Sequence, residues 1–144
     1  MVAVLALAGC GGSSGPTTSS FKAAFKVQKA KLKTLGNEIG AAVEGASSQT
    51  DAALVKQFEG LASRTTQEAG AIGQLSAPSK FKTELASLQS SLTQVAGTLR
   101  EIEAAAAAND ATTAKAAGEA IVTDAQQVKS IDDALTAKLG LPSS

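Results

Sequence analysis

Histidine, tryptophan and tyrosine are absent from the 144 residues, and there are one cysteine and four phenylalanines. Without histidine, the usual zinc sites, the carboxylate–histidine iron sites of helical bundles and histidine-dependent nucleophiles are excluded. Proteins that bind single-stranded nucleic acid stack the bases on aromatic side chains, so the scarcity of aromatic rings argues against that function. Thirteen acidic and thirteen basic residues leave no net charge to attract nucleic acid. We therefore predict no enzyme, no metal, no cofactor other than a lipid described below, and no nucleic-acid partner.

The single cysteine stands near the start of the chain, directly after a short apolar run. Residues 2–8 are apolar, and two small residues precede Cys10. A run of this kind is typical of a secretory signal and is too short to cross a bilayer. The sequence Leu7-Ala8-Gly9-Cys10 resembles the lipobox of bacterial lipoproteins.

This resemblance implies a covalent lipid of the palmitate kind on Cys10 and cleavage between Gly9 and Cys10. Residues 1–9 are then a signal peptide that is removed. The basic residues that usually open such a signal are missing, which predicts a natural start upstream of Met1. The resemblance also implies a location on the extracytoplasmic side of a bacterial cell membrane or outer membrane, with the lipid as anchor.

A polar segment follows the cysteine. Residues 10–20 consist of Cys10 and ten glycine, serine, threonine and proline residues, a composition that predicts a flexible tether. The folded part is expected over residues 21–140, and residues 141–144 form a short tail.

Apolar residues recur at spacings of three and four through most of residues 21–140, which predicts helices with one buried face. No sustained alternation typical of a β-strand is present. The four predicted helices cover residues 21–45, 51–75, 79–108 and 111–139. Because the connections are short, the sequence predicts an all-α fold, an up-down-up-down antiparallel four-helix bundle.

Capping residues support these boundaries. Ser48 or Thr50 can begin the second helix, Asp110 can begin the fourth, and Gly140 can end it. The run of residues 103–108, EAAAAA, is strongly helical but supplies little side-chain volume. We therefore expect looser packing at that end of the bundle.

A basic face is predicted on the first helix. Its lysines recur at spacings of four, three and four, and they are Lys22, Lys26, Lys29 and Lys33. They could face anionic lipid headgroups or wall polymers. Alternatively, they could lie beside the acidic fourth helix, with Lys22 and Lys26 near Asp132 and Asp133, which is the interpretation that we favour.

Two polar residues fall on predicted buried positions of the first two helices. Gln28 and Glu68 would lie at the same level of an antiparallel pair, where a polar layer could line a small pocket or fix the register. Ala69 could take the buried position instead and turn Glu68 outward.

The order of lipobox, polar tether and two helix pairs resembles small uncharacterised helical-bundle lipoproteins of bacteria. The turns that carry this likeness are Leu75–Pro78 and Asn109-Asp110. We expect an envelope interaction or structural module that contacts the membrane through its lipid and an envelope protein or anionic surface through a helical face. The alternative is a small-ligand carrier with a pocket near Gln28 and Glu68. No feature of the sequence predicts an oligomeric state.

Overall fold

The computed structural model describes residues 15–142. This part of the chain contains four α-helices and two 3₁₀ turns. The helices are α1 (Thr18–Gly45), α2 (Asp51–Gly73), α3 (Lys82–Ala107) and α4 (Ala111–Lys138), and the turns are Ala46–Ser48 and Ser79–Phe81. Residues 15–142 contain no β-strand. The predicted all-α four-helix bundle is confirmed.

Side-chain caps fix where three of the helices begin. The Thr17 hydroxyl accepts a hydrogen bond from the amide of Ser20, so α1 begins at residue 18 rather than at the predicted residue 21. Thr50, rather than Ser48, caps α2, and Asp110 caps α4. These caps satisfy amide groups that a helix N-terminus leaves without a partner.

The connection between α2 and α3 is longer than the sequence predicts. α2 ends at Gly73, two residues before the predicted end. Residues 79–81, predicted as the first turn of the third helix, form a 3₁₀ turn closed by a 2.9 Å bond from the Phe81 amide to the Pro78 carbonyl. This turn directs the Phe81 ring into the core before α3 begins, and the ring is 2% exposed.

Polar contacts between the helices show their relative directions. From Glu84 to Gln94 and Thr98 along α3, the partners on α4 move back from Lys138 to Asp124, so α3 and α4 run antiparallel. The contacts are Lys22–Gly140 between α1 and the residues after α4, Glu38–Arg64 between α1 and α2, Thr66–Arg100 between α2 and α3, and Glu84–Lys138, Gln94–Asp124 and Thr98–Asp124 between α3 and α4.

The core consists of two clusters along the bundle axis. The cluster at the end where α1 begins and α4 finishes, here named the terminal end, contains Phe21, Phe25, Ile72, Phe81 and Leu135 among others. The cluster nearer the opposite end is built around Phe58, with leucine, isoleucine and alanine side chains about it. Three of the four aromatic rings therefore stabilise the terminal end.

The helices are not evenly spaced. The backbones of α2 and α3, and of α3 and α4, approach each other along much of their length, whereas α1 approaches α4 at few points. Small buried residues permit the close approach within the first group, because interaxial distance depends on the side chains at the contact. These residues are Ala62, Thr65, Ala69, Ser91, Ala96 and Ala117. Within residues 15–142, no helix is both long and apolar enough to cross a membrane.

Two glycines should respond oppositely to substitution by alanine. A Cβ atom at Gly40, inside α1, would meet no atom within 4 Å, so Gly40→Ala should raise the free energy of unfolding by about 0.5–1 kcal/mol. Gly140 has φ +59°, a left-handed conformation, so Gly140→Ala should lower it by about 1–2 kcal/mol. Urea unfolding of both variants beside the wild-type chain measures the effects, and equal signs would contradict the backbone assignment.

Candidate functional site

A cleft lies between α1 and α4 and reaches the core of the bundle. Its volume is about 490 Å³. Leu32, Leu35 and Ile39 of α1 form one wall, Ala125 and Val128 of α4 form the other, and Thr65, Leu92 and Val95 of α2 and α3 form the floor. We name this space the α1–α4 cleft.

The cleft continues toward the opposite end of the bundle. A second cavity of about 330 Å³ shares Gly36, Ile39, Ala125 and Lys129 with the first and extends to Val43 and Ile121. From residue 29 to residue 43, α1 advances about 21 Å at 1.5 Å per residue. Together, the two cavities form a long groove along the α1–α4 seam.

Missing side chains explain why the groove is not filled. Gly36 and Gly40 lie along α1 where it faces the groove, and a Cβ atom at either would meet nothing within 4 Å. The facing residue of α4, Ala125, contributes one methyl group. Because none of these three residues reaches across the seam, the space between the two helices stays open.

Charged side chains are concentrated at one end of the cleft. Lys29, Lys33, Lys129, Asp132 and Asp133 line it there. The Lys29 ammonium donates to the Thr136 hydroxyl at 2.9 Å and to the carbonyl of residue 142 at 3.1 Å, and it lies 3.9 Å from Asp132 Oδ2. Lys129 donates to Asp133 Oδ2 at 2.5 Å, and this bond raises the pKa of Lys129. The cleft thus combines an apolar floor with a charged end.

Among the charged residues that line the cleft, Asp132 has a buried oxygen without a hydrogen-bond partner in the part of the chain that the structure describes. Its side chain is 14% exposed, and the buried oxygen Oδ1 has no hydrogen-bond partner within the described residues. Burial raises the pKa of Asp132 and nearby Asp133 adds to the rise, while Lys29 and Lys129 oppose it. A buried acceptor without a donor is unusual in a folded protein, and this one belongs to a residue that lines the cleft.

The predicted lysine face divides into two pairs. Lys22 donates to the Gly140 carbonyl at 2.9 Å, and Lys29 contacts α4 as described, whereas Lys26 and Lys33 are exposed. Lys22 and Lys26 were expected near Asp132 and Asp133, but neither lysine forms an ion pair with them. Asp132 is paired with Lys29, and Asp133 with Lys129.

The register of the two helices accounts for this difference. Lys22 lies level with Gly140, which follows α4, so the aspartates lie about two helical turns farther along the bundle, at the level of Lys29.

The two residues of the predicted polar layer are half-buried, and no hydrogen bond joins them within the described residues. Gln28 and Glu68 each have one enclosed oxygen, Oε1, without a hydrogen-bond partner in the described region. Ala69, 4% exposed, takes the buried position of α2 next to Glu68. Neither Gln28 nor Glu68 lines the two cavities of the cleft or the third cavity described next. Gly9 and Cys10, the predicted cleavage and lipidation residues, lie outside the described residues.

A third cavity, of about 610 Å³, lies at the end opposite the terminal end. Residues from the α1–α2 connection, the α3–α4 connection and the alanine-rich end of α3 line it, including Ala46, Phe58, Ala105, Ala106 and Asn109. Its position agrees with the loose packing that the run EAAAAA predicts. Because alanine methyl groups fill little volume, the helices cannot close over this space.

The sequence analysis missed a buried carboxylate between α3 and α4. Asp124 is 7% exposed, and its two oxygens accept 2.7 Å hydrogen bonds from the Gln94 amide and the Thr98 hydroxyl. The spacing contained the information, because Asp124 lies three residues after Ile121 and four before Val128, on the buried face. The arrangement is complete in itself and fixes the register of the two helices.

Removal of the Asp124 carboxylate should destabilise the bundle. Asp124→Ala removes the acceptor of the Gln94 amide and leaves the buried Thr98 hydroxyl only the Gln94 carbonyl, 3.3 Å away, and we expect a loss of about 1–3 kcal/mol in the free energy of unfolding. Asp124→Asn keeps one acceptor oxygen and should cost less. Urea unfolding measures both variants. A loss in Asp124→Asn as large as that in Asp124→Ala would contradict the assigned hydrogen bonds.

The raised pKa of Asp132 predicts a pH effect on stability. The folded chain holds this proton more tightly than the unfolded chain, whose aspartates have a pKa near the ordinary value of 3.8. The resulting stabilisation is complete below pH 3.8 and is lost as the pH rises through the raised pKa.

Asp132→Asn removes this titration. Relative to the variant, the wild-type chain should therefore become less stable as the pH rises from about 4 to about 7. Unfolding by urea at a series of pH values measures the difference. Parallel pH profiles for the two chains would contradict the burial assigned to the carboxylate.

Within residues 15–142, no three cysteine, aspartate or glutamate side chains lie close enough to hold a metal ion. Comparison of the chain with protein-family models, with curated proteins and with solved structures found no match. The α1–α4 cleft, with its charged end, is the candidate functional site.

Proposed function

We propose that the chain is a lipid-anchored helical bundle on the extracytoplasmic side of a bacterial membrane, where it acts as an interaction module of the cell envelope without catalysis. The observation that carries the proposal is the sequence Leu7-Ala8-Gly9-Cys10, which ends on the single cysteine of the chain. Two or more acyl chains would hold the protein stably on a membrane, whereas one would not.

The position of α1 supports this proposal. Residues 11–17 separate Cys10 from α1, and seven residues span at most about 25 Å. An anchor at Cys10 therefore keeps the terminal end of the bundle near the bilayer and leaves the opposite end facing away. Attachment of a lipid to Cys10 would remove no side chain from the described core, because that core contains no thiol and depends on no disulfide.

The exposed surface supports an interaction with a protein more than one with lipid headgroups. Two of the four lysines of the predicted basic face, Lys22 and Lys29, are hydrogen-bonded to residues at the end of α4 and beyond it. Lys26 and Lys33 remain exposed. Two exposed lysines, at about 1 kcal/mol each near an anionic surface, supply little affinity for a membrane.

A second candidate function is the carriage of a small ligand. The α1–α4 cleft favours it, because a volume of about 490 Å³ with an apolar floor and a few polar groups has the properties of a ligand site. The site differs from the one expected from the sequence, since the cleft is lined by neither Gln28 nor Glu68.

Lipid attachment has a direct test. Expression in a bacterium with labelled palmitate should label the wild-type chain and leave Cys10→Ser unlabelled, because the thioether requires the thiol. The chain is tested with its own residues 1–9 and, separately, with these residues replaced by the signal peptide of a known lipoprotein. Equal labelling of the wild-type chain and of Cys10→Ser would refute the proposed anchor.

The lysine face can be tested apart from the anchor. Full-length protein carrying Cys10→Ser should float equally weakly with anionic and with neutral vesicles, because half of the lysines are engaged within the bundle. A variant with Lys26→Glu and Lys33→Glu serves as the comparison. Strong flotation with anionic vesicles alone, lost in this variant, would show that the face binds headgroups.

A further inference from the structure

We propose that the α1–α4 cleft binds a single-chain amphiphile with an anionic headgroup. The acyl chain lies along the groove, and the headgroup lies at the charged end. This inference rests on the second candidate function, the carriage of a small ligand, and specifies the chemistry of that ligand.

The shape of the groove indicates an extended apolar chain. The two cavities share Ile39 and Ala125 and lie one after the other between α1 and α4. Together they run along α1 for about 21 Å. Away from the charged end, the apolar side chains of the lining are Leu35, Ile39, Val43, Ile121 and Val128, with the exposed Glu44 and Gln126 beside them. A flat or globular ligand would leave most of such a groove empty, whereas one acyl chain follows it.

The charges at one end of the groove favour an anionic headgroup. Three lysines and two aspartates line that end. Lys129 and Asp133 neutralise each other through their hydrogen bond. Lys29 pairs with Asp132 at 3.9 Å and donates to Thr136 and to the carbonyl of residue 142, whereas Lys33 takes part in no ion pair among residues 15–142. The Lys33 ammonium, one helical turn from Lys29 on the same face of α1, is therefore the cation at this end that is open to a carboxylate or phosphate.

Asp132 adds a second requirement at the same end. Its enclosed oxygen Oδ1 has no donor in the described region and lies on a residue that lines the cleft. A hydroxyl beside the acidic group of the ligand would supply the missing hydrogen bond once the Asp132 side chain turns this enclosed oxygen toward the cleft. Both a fatty acid and a monoacyl glycerophospholipid have the shared chemistry of one chain and one anionic head, and the second also carries a hydroxyl.

The other large cavity does not have these properties. The cavity at the opposite end has one lysine, Lys115, together with Asp51 and Asp110, so its charged groups do not favour an anion. Asp110 is also engaged in capping α4. Among these cavities, a long groove that ends at a lysine without an ion pair in the described region, Lys33, is found in the α1–α4 cleft.

Binding is measured with cis-parinaric acid, a fatty acid whose fluorescence rises in apolar surroundings. The acid and its uncharged methyl ester are titrated, below their micelle-forming concentrations, into full-length protein carrying Cys10→Ser. The acid should bind at least about tenfold more tightly than the ester, as expected for one charge-assisted hydrogen bond to a lysine. Displacement by palmitate and by monoacyl phosphatidylglycerol then separates the two sources of the anionic head.

Matched variants locate the site. Ala125→Phe places a ring in the shared part of the groove and should abolish binding, whereas Ala134→Phe, at an exposed position of α4 outside both cavities, should not. Lys33→Glu should weaken binding of the acid about tenfold or more without affecting the ester, and Lys31→Glu, exposed and outside the cleft, is its control. All four positions are exposed, and helical circular dichroism checks each fold.

The outcomes separate the ligand class from the carrier function. Equal binding of acid and ester, both lost in Ala125→Phe, would overturn the anionic head and leave the carrier function standing. Binding that Ala125→Phe leaves unchanged would overturn the site. If neither probe binds, the carrier function fails together with this inference, while the lipid anchor, tested by labelling Cys10, is judged separately.

Discussion

Close packing of α3 against both α2 and α4 is the constraint on which the rest of the bundle depends. Small residues on the facing surfaces allow these three helices to approach closely, and Asp124 ties α3 to α4 through Gln94 and Thr98. α1 lies against this group through its phenylalanines at the terminal end and through Leu35 and Ile39 farther along. Because α1 stays apart from α4, the groove and its charged end exist.

The fold was accessible from the sequence because local features determine most of it. Apolar spacing identifies all four helices, and Thr50, Asp110 and Gly140 act as the caps and the terminator that their residue types predict. Errors are confined to helix ends. Position 17 was assigned to the tether, although a threonine followed by serines can cap a helix, and the 3₁₀ turn after Pro78 interrupts a pattern that reads as continuous helix.

The candidate site was much less accessible, because it depends on spacing between helices that are remote in sequence. A groove forms where Gly36, Gly40 and Ala125 face one another, and no single helix shows that these residues are opposed. The partners of the lysines depend likewise on how far α4 and the residues after it extend past α1. Asp124 is different, since its position on the buried face can be read from the spacing alone.

The helix that would carry the anchor is also the most loosely attached wall of the cleft. In the proposed anchored form, the tether would be attached to α1 alone, while α2, α3 and α4 are joined through their own close contacts. Lys22 and Lys29 bond α1 to the residues that follow Thr136, near Gly140. These bonds would then lie next to the bilayer, and the groove would extend from them toward the end of the bundle that faces away from the membrane.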